Sequence, residues 1–442
     1  MHHNNEIKYI KLKILLALIL ISFIIFYFLK DYDSKGNDIF VILTFIIIIF
    51  ISFKEIFNVK NLPYGLSQIF YLFTLTFLGL APFYQYLKDI TLWGGEEFTN
   101  HNFICVNILL IVSLLLYKHF YLKILKKDTK TTKENSIRVS PILLLCISLI
   151  ASMYIYLIYG SNISALIFRN EYSSSDIVSG GGISYLLNSF FIRPIPAICF
   201  LLYKFYKYKS FFLEILLLTL MLLTNAPTGM PRFAVAAFYI PLIFIYMPSI
   251  KKKMNFPFII IFALLIIFPI LNLFRLSGDS RNLKIDLSML LQGHFDSYQM
   301  MARVISENFI TYGNQLLGVI FFYIPRSIWP TKPIGSGYLI AHEYNYYFDN
   351  LSMNYFGEGY INFGIIGMLA FSIILGYING YFDRLYWVNK KCEVPKFSLI
   401  YCISIGMEFA ILRGALLNIF PVLIGYISSL VLVHNMVKIR KK

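Results

Sequence analysis

Long apolar runs separated by short polar segments dominate the pattern of hydrophobic and polar positions along this chain. An α-helix rises about 1.5 Å per residue, so about 20 apolar residues cross a hydrocarbon core roughly 30 Å thick. The pattern therefore predicts an all-α, polytopic transmembrane helix bundle of about twelve spans, forming one integral membrane domain over 1–442. We place the spans at 12–29, 39–53, 64–86, 103–121, 140–159, 183–203, 211–226, 233–249, 257–275, 360–381, 397–412 and 416–436.

Composition supports the membrane assignment. The chain is 58% hydrophobic and 14% charged, whereas soluble domains carry about 25% charged residues. Its net charge of +16 does not indicate nucleic acid, because the lysines lie in short segments between apolar runs. Lys8, Lys11 and Lys13 precede the first run as in a signal peptide, but no small-residue cleavage site follows, and we expect an uncleaved span. The five cysteines lack metal-ligand spacing, so we expect neither a disulfide nor a metal site.

Basic residues predict the orientation of the spans. With the N-terminus inside, the inner segments hold 26 of the 39 lysines and arginines, and every short inner loop is basic. This distribution follows the positive-inside rule. The sequence therefore predicts that both termini face the cytoplasm.

One extracytoplasmic loop, 276–357, is far longer than the others. Leu287, Leu291, Tyr298, Met301 and Ile305 recur at helical spacing, while Gln292, Asp296, Gln299 and Arg303 follow another face. We expect an amphipathic helix at about 285–308, lying along the outer surface or capping the bundle. An aromatic segment with Pro325, Pro330 and Pro333 follows, and we expect it to be irregular.

Arginine and lysine are distributed differently between the two sides. The inner segments use lysine 23 times and arginine three times, whereas the outer half has five lysines and eight arginines. Guanidinium binds phosphate or carboxylate in a bidentate way, and a charge at membrane depth needs a polar cavity or an anion. The arginines together indicate a grip for phosphate or pyrophosphate at the outer leaflet. Individually, each arginine is equally compatible with a headgroup contact or a structural ion pair.

Three segments carry a family resemblance. Residues 325–333 read Pro-Arg-Ser-Ile-Trp-Pro-Thr-Lys-Pro, residues 357–367 read Gly-Glu-Gly-Tyr-Ile-Asn-Phe-Gly-Ile-Ile-Gly, and residues 229–233 read Gly-Met-Pro-Arg-Phe. Together with the long outer loop, this set resembles the Wzy-type O-antigen and oligosaccharide repeat-unit polymerases. The motif agreement covers about 229–367, and the agreement in topology covers the whole chain.

The resemblance implies a GT-C-like fold and a glycosyltransferase without a cofactor. Such enzymes join repeat units carried on undecaprenyl pyrophosphate at the outer face of the bacterial cytoplasmic (inner) membrane, as in lipopolysaccharide or capsule biosynthesis. Expected partners are the lipid-linked oligosaccharide, membrane lipid, and a chain-length regulator and flippase of the same pathway, with no nucleic acid.

The reaction requires an anion grip, a base and a surface for sugars. For the pyrophosphate we select cations at or near the outer membrane edge: Arg193, Arg232, Arg275, Arg281, Arg326 and Lys332. They would stabilise the charge that develops on the leaving group. Arg281 is also compatible with a solvated ion pair to Asp279 or Asp286.

Glu358 is our first candidate for the base, since Gly357 and Gly359 on either side let a sugar approach the backbone. His342 and His294 are the alternatives, because histidine titrates nearest neutral pH. Aromatic rings stack on sugars, and we select Trp329, Tyr338, Tyr355 and Tyr360 as candidate sugar-binding residues. Such rings also serve equally well to pack a loop onto a bundle.

Two other functions stay open. An O-antigen ligase has a similar topology and a loop with arginines and a histidine, although the two longer motifs favour the polymerase. A lipid-linked oligosaccharide flippase, from a different class, also often has twelve spans. A flippase has no need of an 82-residue outer loop, and the charges near the outer side argue against it.

Overall fold

The computed structural model describes residues 2–33, 36–58, 62–127, 138–168, 181–252, 255–262, 287–389 and 395–439. These residues are mainly helical. The first half contains α1 (His2–Leu29), α2 (Ile39–Ile56), α3 (Leu66–Phe73), a π segment (Thr74–Leu80), α4 (Ala81–Leu87), a 3-10 turn (Leu92–Gly94), α5 (Asn100–Leu125), β1 (Arg138–Val139), α6 (Pro141–Ile158) and α7 (Ile163–Ile167).

The second half continues the helical pattern. It contains α8 (Gly181–Leu186), a π segment (Leu187–Ile192), α9 (Ile195–Phe205), α10 (Phe211–Thr224), α11 (Arg232–Tyr246), a 3-10 turn (Pro248–Lys251) and α12 (Asn255–Phe262). After residue 286 come 3-10 turns (Leu287–Leu291, Gly293–Phe295), α13 (Ser297–Ser306), α14 (Asn314–Ile320), α15 (Ser336–Glu343), α16 (Tyr355–Asn389), α17 (Pro395–Arg413), α18 (Leu416–Val437) and β2 (Lys438–Ile439).

In the described part of the chain, nine helices are long and apolar enough to cross a membrane. They coincide with nine of the twelve predicted spans and confirm a polytopic helical membrane protein. Two further predicted spans, 211–226 and 233–249, correspond to the shorter apolar helices Phe211–Thr224 and Ala234–Tyr246. Of the predicted span 257–275, only residues 257–262 are described, as part of the helix Asn255–Phe262.

Local signals explain where several spans begin. Asp38 accepts a hydrogen bond from the Phe40 amide at the start of α2, and Thr99 accepts one from Asn102 at the start of α5. Ser140 does the same for Leu143, and Pro141 occupies the first position of α6, where no amide hydrogen is needed. These polar caps stand immediately before apolar runs, so they fix where each helix begins.

The continuous helix Leu66–Leu87, formed by α3, its π segment and α4, lies at the centre of the bundle and is buried along its whole length. Its polar side chains Thr74 and Thr76 donate to carbonyls of the preceding turn, at 3.0 and 2.9 Å. These local bonds satisfy hydroxyls that would be costly to leave unpaired inside an apolar bundle. The spans α2, α16 and α17 pack against this helix, whereas α6, α9, α10 and α18 contribute to a second hydrophobic core.

The ends of the spans gather into two groups. At one end, β1 pairs with β2 in antiparallel fashion, Lys118 forms a 2.7 Å ion pair with Glu55, and Lys13 hydrogen-bonds Asn255. The opposite end collects the loops around residues 30–38 and 87–99, the segment 287–362 and the turn between α17 and α18, which are linked by contacts of Lys88 with Asp31, Leu92 with Gln299 and Leu416 with Glu358.

The segment predicted as one amphipathic helix at about 285–308 is instead two 3-10 turns followed by α13, and residues 285 and 286 lie outside the described residues. The two turns are separated at Gln292, and the next residue, Gly293, lies so close to Trp93 that a Cβ there would overlap the indole. The polar residues Gln299 and Arg303 are buried rather than exposed. The segment therefore caps the bundle and does not lie along its surface. The following stretch with Pro325, Pro330 and Pro333 is irregular between Phe321 and Gly335, as expected.

Candidate functional site

The cap formed by α13 is held to the bundle by polar contacts of side chains with backbone groups. Gln85 donates to the carbonyls of Leu290 and Phe295, at 2.8 and 3.2 Å. Gln299 accepts a bond from the Leu92 amide at 2.8 Å and donates to Gln85. Because these partners are buried, the cap keeps its position over the C-terminal end of the helix Leu66–Leu87.

A sharp break divides α16 within the motif at 357–367. Phe363 has φ −145° and ψ 24°, and Gly364 has φ 62° and ψ −148°. A Cβ on Gly359 would lie 2.8 Å from the Gly367 carbonyl oxygen, whereas residues eight apart in a straight helix are about 12 Å apart. The short helix 355–362 therefore folds back against the long helix that follows. The position of Glu358 in the sequence, next to the predicted span 360–381, indicated the mouth of a straight span. In the structure it lies instead on this short helix.

Asn362 secures the break. Its side-chain oxygen accepts a bond from the Leu316 amide at 2.7 Å, and its side-chain nitrogen donates to the Glu358 carbonyl at 2.9 Å. The carbonyls of Ile361 and Asn362 accept bonds from the amides of Thr311 and Gly313. Backbone groups freed by the break thus find partners in the turn before α14, as buried backbone requires.

The Glu358 carboxylate is fully buried and bridges two other segments. Its Oε2 accepts a bond from the Ser336 hydroxyl and its Oε1 accepts one from the Leu416 amide, each at 3.0 Å. The Leu416 amide is at the start of α18, where it has no acceptor within the helix and where a negative charge is favourable, and Glu358 supplies the acceptor. In this conformation Glu358 fastens three segments together and does not reach solvent.

The loop between α14 and α15 carries two cations, which we call the cation loop (321–335). Arg326 donates through its guanidinium to the carbonyls of Lys332 and Pro333, at 2.6 and 3.0 Å. Lys332 donates to the carbonyls of Phe322 and Ile324, at 2.6 and 2.9 Å. The two side chains thereby close the loop on itself.

Neither cation of this loop forms an ion pair with a described residue. Burial and the nearby positive charge of Arg326 lower the pKa of the Lys332 ammonium below its usual range. Arg326 is exposed, and its bonds use two of the five donors of a guanidinium. The cation loop therefore keeps charge and donors available for an anion.

A second polar cluster lies at the end of α17. Arg413 donates to the Asp296 carboxylate at 3.4 Å and to the His294 carbonyl at 3.3 Å. Asp296 is buried and also accepts bonds from Ser352 and from the Trp93 indole. Burial raises the pKa of the Asp296 carboxyl above its usual range, while the Arg413 charge and the hydrogen bonds act in the opposite direction. The cluster connects the cap to the transmembrane bundle.

The histidine candidates differ in accessibility. His342 is exposed at the end of α15, with its ring centroid 4.1 Å from that of Tyr338. His294 is partly buried between the cap and Arg413. Of the two rings, His342 lies on the helix that directly follows the cation loop.

The aromatic candidates divide into two groups. Tyr338 is 42% exposed and Trp329 is partly exposed on the cation loop. Tyr355 packs against Phe371 in the interior, and the hydroxyl of the buried Tyr360 donates to Asn308 at 2.9 Å. Tyr355 and Tyr360 thus present no ring face to a sugar in this structure, because the short helix folds back and covers them.

Arg193 lies apart from the cation loop and holds backbone segments together. It donates to the Thr224 and Gly229 carbonyls, at 2.9 and 3.2 Å, and to the Tyr159 hydroxyl at 3.0 Å. Gly229 also contacts the Leu166 carbonyl so closely that a Cβ would overlap it. These bonds take up the guanidinium, so the structure does not bring Arg193 to an anion site.

For three other predicted pyrophosphate ligands, the structure describes no side-chain position. Arg275 and Arg281 lie outside the described residues, and Arg232 is described only as the first residue of α11. The outer arginine Arg303, which we did not select, is buried and pairs with Glu307 at 3.1 Å. Its role is structural.

The intramembrane acids also find neutral or local partners. Glu408 accepts a bond from Asn379 at 2.7 Å and not from Arg413, and Glu214 pairs with Lys204 at 2.6 Å. Asp383, which we overlooked, accepts bonds from the Leu66 amide and from the hydroxyls of Tyr121 and Tyr401. Its position two residues after the predicted span 360–381, among aromatics, was a weak signal for a buried helix cap.

No family model, no curated protein and no solved structure matches this chain.

Proposed function

We propose that this protein is a polysaccharide polymerase that joins oligosaccharide repeat units carried on a polyprenyl pyrophosphate such as undecaprenyl pyrophosphate. It would act at the outer face of a bacterial cytoplasmic membrane, with the cap and the cation loop on the extracytoplasmic side. The growing chain is the donor and the next lipid-linked unit is the acceptor. The protein is then a multi-pass glycosyltransferase.

One contact carries the proposal. The Ser336 hydroxyl, three residues beyond the motif at 325–333, donates to Glu358 of the motif at 357–367 over 3.0 Å. The two longer segments that resemble the polymerase family are separated by 23 residues, yet this bond brings the residue just after the first segment into contact with the second, beside the start of α18. Residues that serve one reaction must meet in space, so the junction supports a shared site.

In this proposal, the cation loop stabilises the leaving group of the reaction. In the transfer, the bond between the anomeric carbon and the pyrophosphate oxygen breaks, and the acceptor hydroxyl oxygen forms the new bond to that carbon. The leaving lipid pyrophosphate gains negative charge in the transition state. Arg326 and Lys332 would stabilise that charge, and neither forms an ion pair with a carboxylate among the described residues.

The acceptor hydroxyl must lose its proton to a base. A base needs to reach the hydroxyl, and Glu358 is fully buried with both oxygens bonded. His342 is exposed on α15, ten residues after Lys332. We therefore assign the base to His342 and a positioning role to Glu358, which holds α15 and the cation loop in place.

Reconstitution tests this assignment. Purified protein in vesicles would receive lipid-pyrophosphate-linked repeat units, and the products would be separated by size. A ladder of polymers supports the polymerase. Transfer of a finished chain only to a lipid-core acceptor indicates a ligase, and movement of intact lipid across the bilayer without new bonds indicates a flippase.

A matched pair of variants tests the base. We expect His342→Gln to reduce the rate of ladder formation by about 100-fold, the lower range for loss of general base catalysis. His101→Gln is the control, because His101 is also exposed at the outer end of the bundle but belongs to α5. Equal activity of His342→Gln and wild type would remove His342 from the reaction.

A further inference from the structure

Three aromatic residues from two loops that are far apart in the sequence meet beside the cap, and we call them the aromatic shelf (Trp93, Tyr347 and Phe348). The rings of Trp93 and Phe348 are stacked, with centroids 4.6 Å apart and planes inclined by 21°. The Tyr347 ring meets the indole edge-on, with centroids 5.8 Å apart. Tyr347 is 77% exposed and Phe348 is 39% exposed, so the two rings that pack on Trp93 are open to solvent.

Contacts with the cap fix the position of Trp93. Its indole nitrogen donates to the buried Asp296 carboxylate at 3.3 Å, and a Cβ on Gly293 would overlap its ring. Its carbonyl accepts a bond from the Tyr347 amide at 3.3 Å. Trp93 also has φ 64°, which is costly for a bulky residue and persists only where the surrounding contacts enforce it. The shelf is therefore held in place before any ligand binds.

Contact with lipid does not explain the open rings of the shelf. Interfacial aromatic residues accompany the ends of membrane spans, whereas Tyr347 and Phe348 follow α15, which has eight residues and is too short to be a span. Asp349 and Asn350 beside them are exposed, and a carboxylate is repelled by anionic lipids. An exposed ring with polar groups beside it suits a sugar, whose C–H face packs on the ring while its hydroxyls form hydrogen bonds.

The surface around the shelf is acidic. Exposed carboxylates belong to its two loops and to the end of α15: Glu96, Glu97, Glu343 and Asp349. None of the four forms an ion pair with a described residue. Burial raises the pKa of the nearby Tyr344 hydroxyl to about 12, and the negative charges of Glu307 and Glu343 act in the same direction. The Arg303 guanidinium, which donates to the Glu96 carbonyl, is buried and pairs with Glu307. The exposed groups therefore repel an acidic ligand.

The shelf adjoins the residue that the proposed function uses as the base. The Asn345 amide donates to the His342 carbonyl at 3.4 Å, and the Tyr346 amide donates to the Ala341 carbonyl at 2.9 Å. The chain therefore turns back on the end of α15 immediately before Tyr347. The cation loop lies at the opposite end of α15, so a sugar on the shelf is on the side of the base and not on the side of the leaving pyrophosphate.

We propose that the aromatic shelf binds a sugar of the acceptor repeat unit, and that the carboxylates around it select neutral or amino sugars over acidic ones. This inference rests on the proposed function, since it takes the acceptor unit from that reaction. It adds a binding surface that contains none of the aromatic residues selected from the sequence, and it adds a charge class for the substrate. Ring stacking supplies affinity for any sugar, whereas the carboxylates repel uronic acids and phosphorylated sugars.

Binding of matched oligosaccharides tests the selection. Tetramers of N-acetylglucosamine, glucosamine and galacturonic acid serve as the neutral, basic and acidic probes, and saturation-transfer NMR with the protein in lipid nanodiscs gives the Kd of each. We expect the neutral and basic tetramers to bind at least about tenfold more tightly than the acidic one at low salt, and the difference to shrink at high salt as the charges are screened. An equal Kd for the neutral and acidic probes, or no saturable binding of any probe, would overturn the inference.

Variants locate the binding surface. Tyr347→Ala and Phe348→Ala should each weaken binding of the neutral tetramer about fivefold, as expected for the loss of one ring contact. Tyr32→Ala is the control, since Tyr32 is 41% exposed in the loop after α1, at the same end of the bundle. Shelf variants that elute normally on size exclusion and bind the neutral tetramer as wild type does would overturn the inference.

A charge variant tests the selection separately from the rings. The double variant Glu343→Gln, Asp349→Asn should bind the acidic tetramer more tightly than wild type does and the neutral tetramer equally well. Asp33→Asn, in the loop after α1, should change neither. An unchanged Kd of the double variant for the acidic tetramer would contradict selection by these carboxylates.

The outcomes distinguish this inference from the proposed function. The same variants would be assayed for polymer with lipid-linked repeat units. A ladder from wild type, together with unchanged sugar binding in the shelf variants, refutes the shelf alone. Loss of sugar binding in the shelf variants, with no ladder from wild type, refutes the polymerase and leaves a saccharide-binding site.

Discussion

The Ser336 hydroxyl donates to Glu358 Oε2 over 3.0 Å, and this bond ties α15 to the short helix before the break in α16. The other carboxylate oxygen accepts a bond from the Leu416 amide. One buried acid thus sets the position of the segment that follows the cation loop relative to α18. The placement of Arg326 and Lys332 depends on a contact that neither residue makes.

We predict that Glu358→Gln lowers stability and activity together. Glutamine keeps one accepting oxygen, but its amide group faces the second donor, so a buried hydrogen bond is lost at a cost of about 1–3 kcal/mol. Thermal unfolding in detergent and the rate of polymer formation would be measured. Ser336→Ala removes the same contact from the other partner and should have a similar effect. If both residues act through this bond, the double mutant should be about as stable as either single mutant.

The guanidinium of Arg326 should not be replaceable by an ammonium. Arg326→Lys keeps the charge but loses the fork that bonds two carbonyls while leaving donors for an anion. We expect at least about tenfold slower polymerisation, in the range of one lost transition-state hydrogen bond, with normal elution on size exclusion. Lys88→Arg is the control on the same side. A polymerisation rate of Arg326→Lys equal to that of wild type would contradict the proposal that the Arg326 guanidinium binds the pyrophosphate.

Arg193 should matter for folding and not for catalysis. Arg193→Lys loses several of the bonds to the Thr224 and Gly229 carbonyls and to Tyr159, and should lower stability by about 2 kcal/mol. The measurement is the thermal midpoint together with the polymerisation rate per folded molecule. A thermal midpoint equal to that of wild type, together with loss of polymerisation per folded molecule, would contradict this prediction and indicate that Arg193 binds the pyrophosphate.

The buried Asp296 predicts a pH dependence of stability. Burial raises the pKa of its carboxyl above the usual value, so the folded state binds this proton more tightly than the unfolded state does. Its contribution is favourable at low pH and is lost as pH rises through the raised pKa. The unfolding free energy of wild type minus that of Asp296→Asn should therefore increase as pH falls from 7 towards about 4, the ordinary range of aspartate. A difference that decreases over this interval would contradict the assignment.

Gly364 should tolerate no side chain. Its φ of 62° and ψ of −148° lie in a region that is essentially restricted to glycine. Gly364→Ala should destabilise the protein by about 1–3 kcal/mol, measured by thermal unfolding. Gly36→Ala is the control, since a Cβ there has no neighbour within 4 Å. Equal stability of both variants would mean that the backbone at the break accommodates a side chain at position 364.

Much of the fold was predictable because apolar run length is set by membrane thickness. The spans at 39–53, 103–121 and 140–159 match Ile39–Ile56, Asn100–Leu125 and Pro141–Ile158 within a few residues. The break in α16 was not predictable in this way, since Asn362-Phe363-Gly364 lies inside a continuous apolar run. Only the backbone angles at Gly364 and the bonds of Asn362 to α14 reveal that the chain folds back.

Side-chain roles were harder to predict than spans. Arg193 and Arg326 are equivalent in the sequence, as basic residues near an outer membrane edge. Arg193 donates to the carbonyls of Leu166, Thr224 and Gly229, whereas Arg326 closes a short loop and stays exposed. Partners this distant along the chain cannot be assigned from spacing, so the sequence gives the type of chemistry and the structure separates the structural residues from the available ones.

The stoichiometry of the transfer tests the central claim most directly. Purified wild-type protein would react with lipid-linked repeat units labelled in both the sugar and the pyrophosphate, and new glycosidic bonds and released polyprenyl pyrophosphate would be counted together. The polymerase proposal predicts one carrier pyrophosphate released for each bond formed. Translocation of doubly labelled lipid with no release would contradict it.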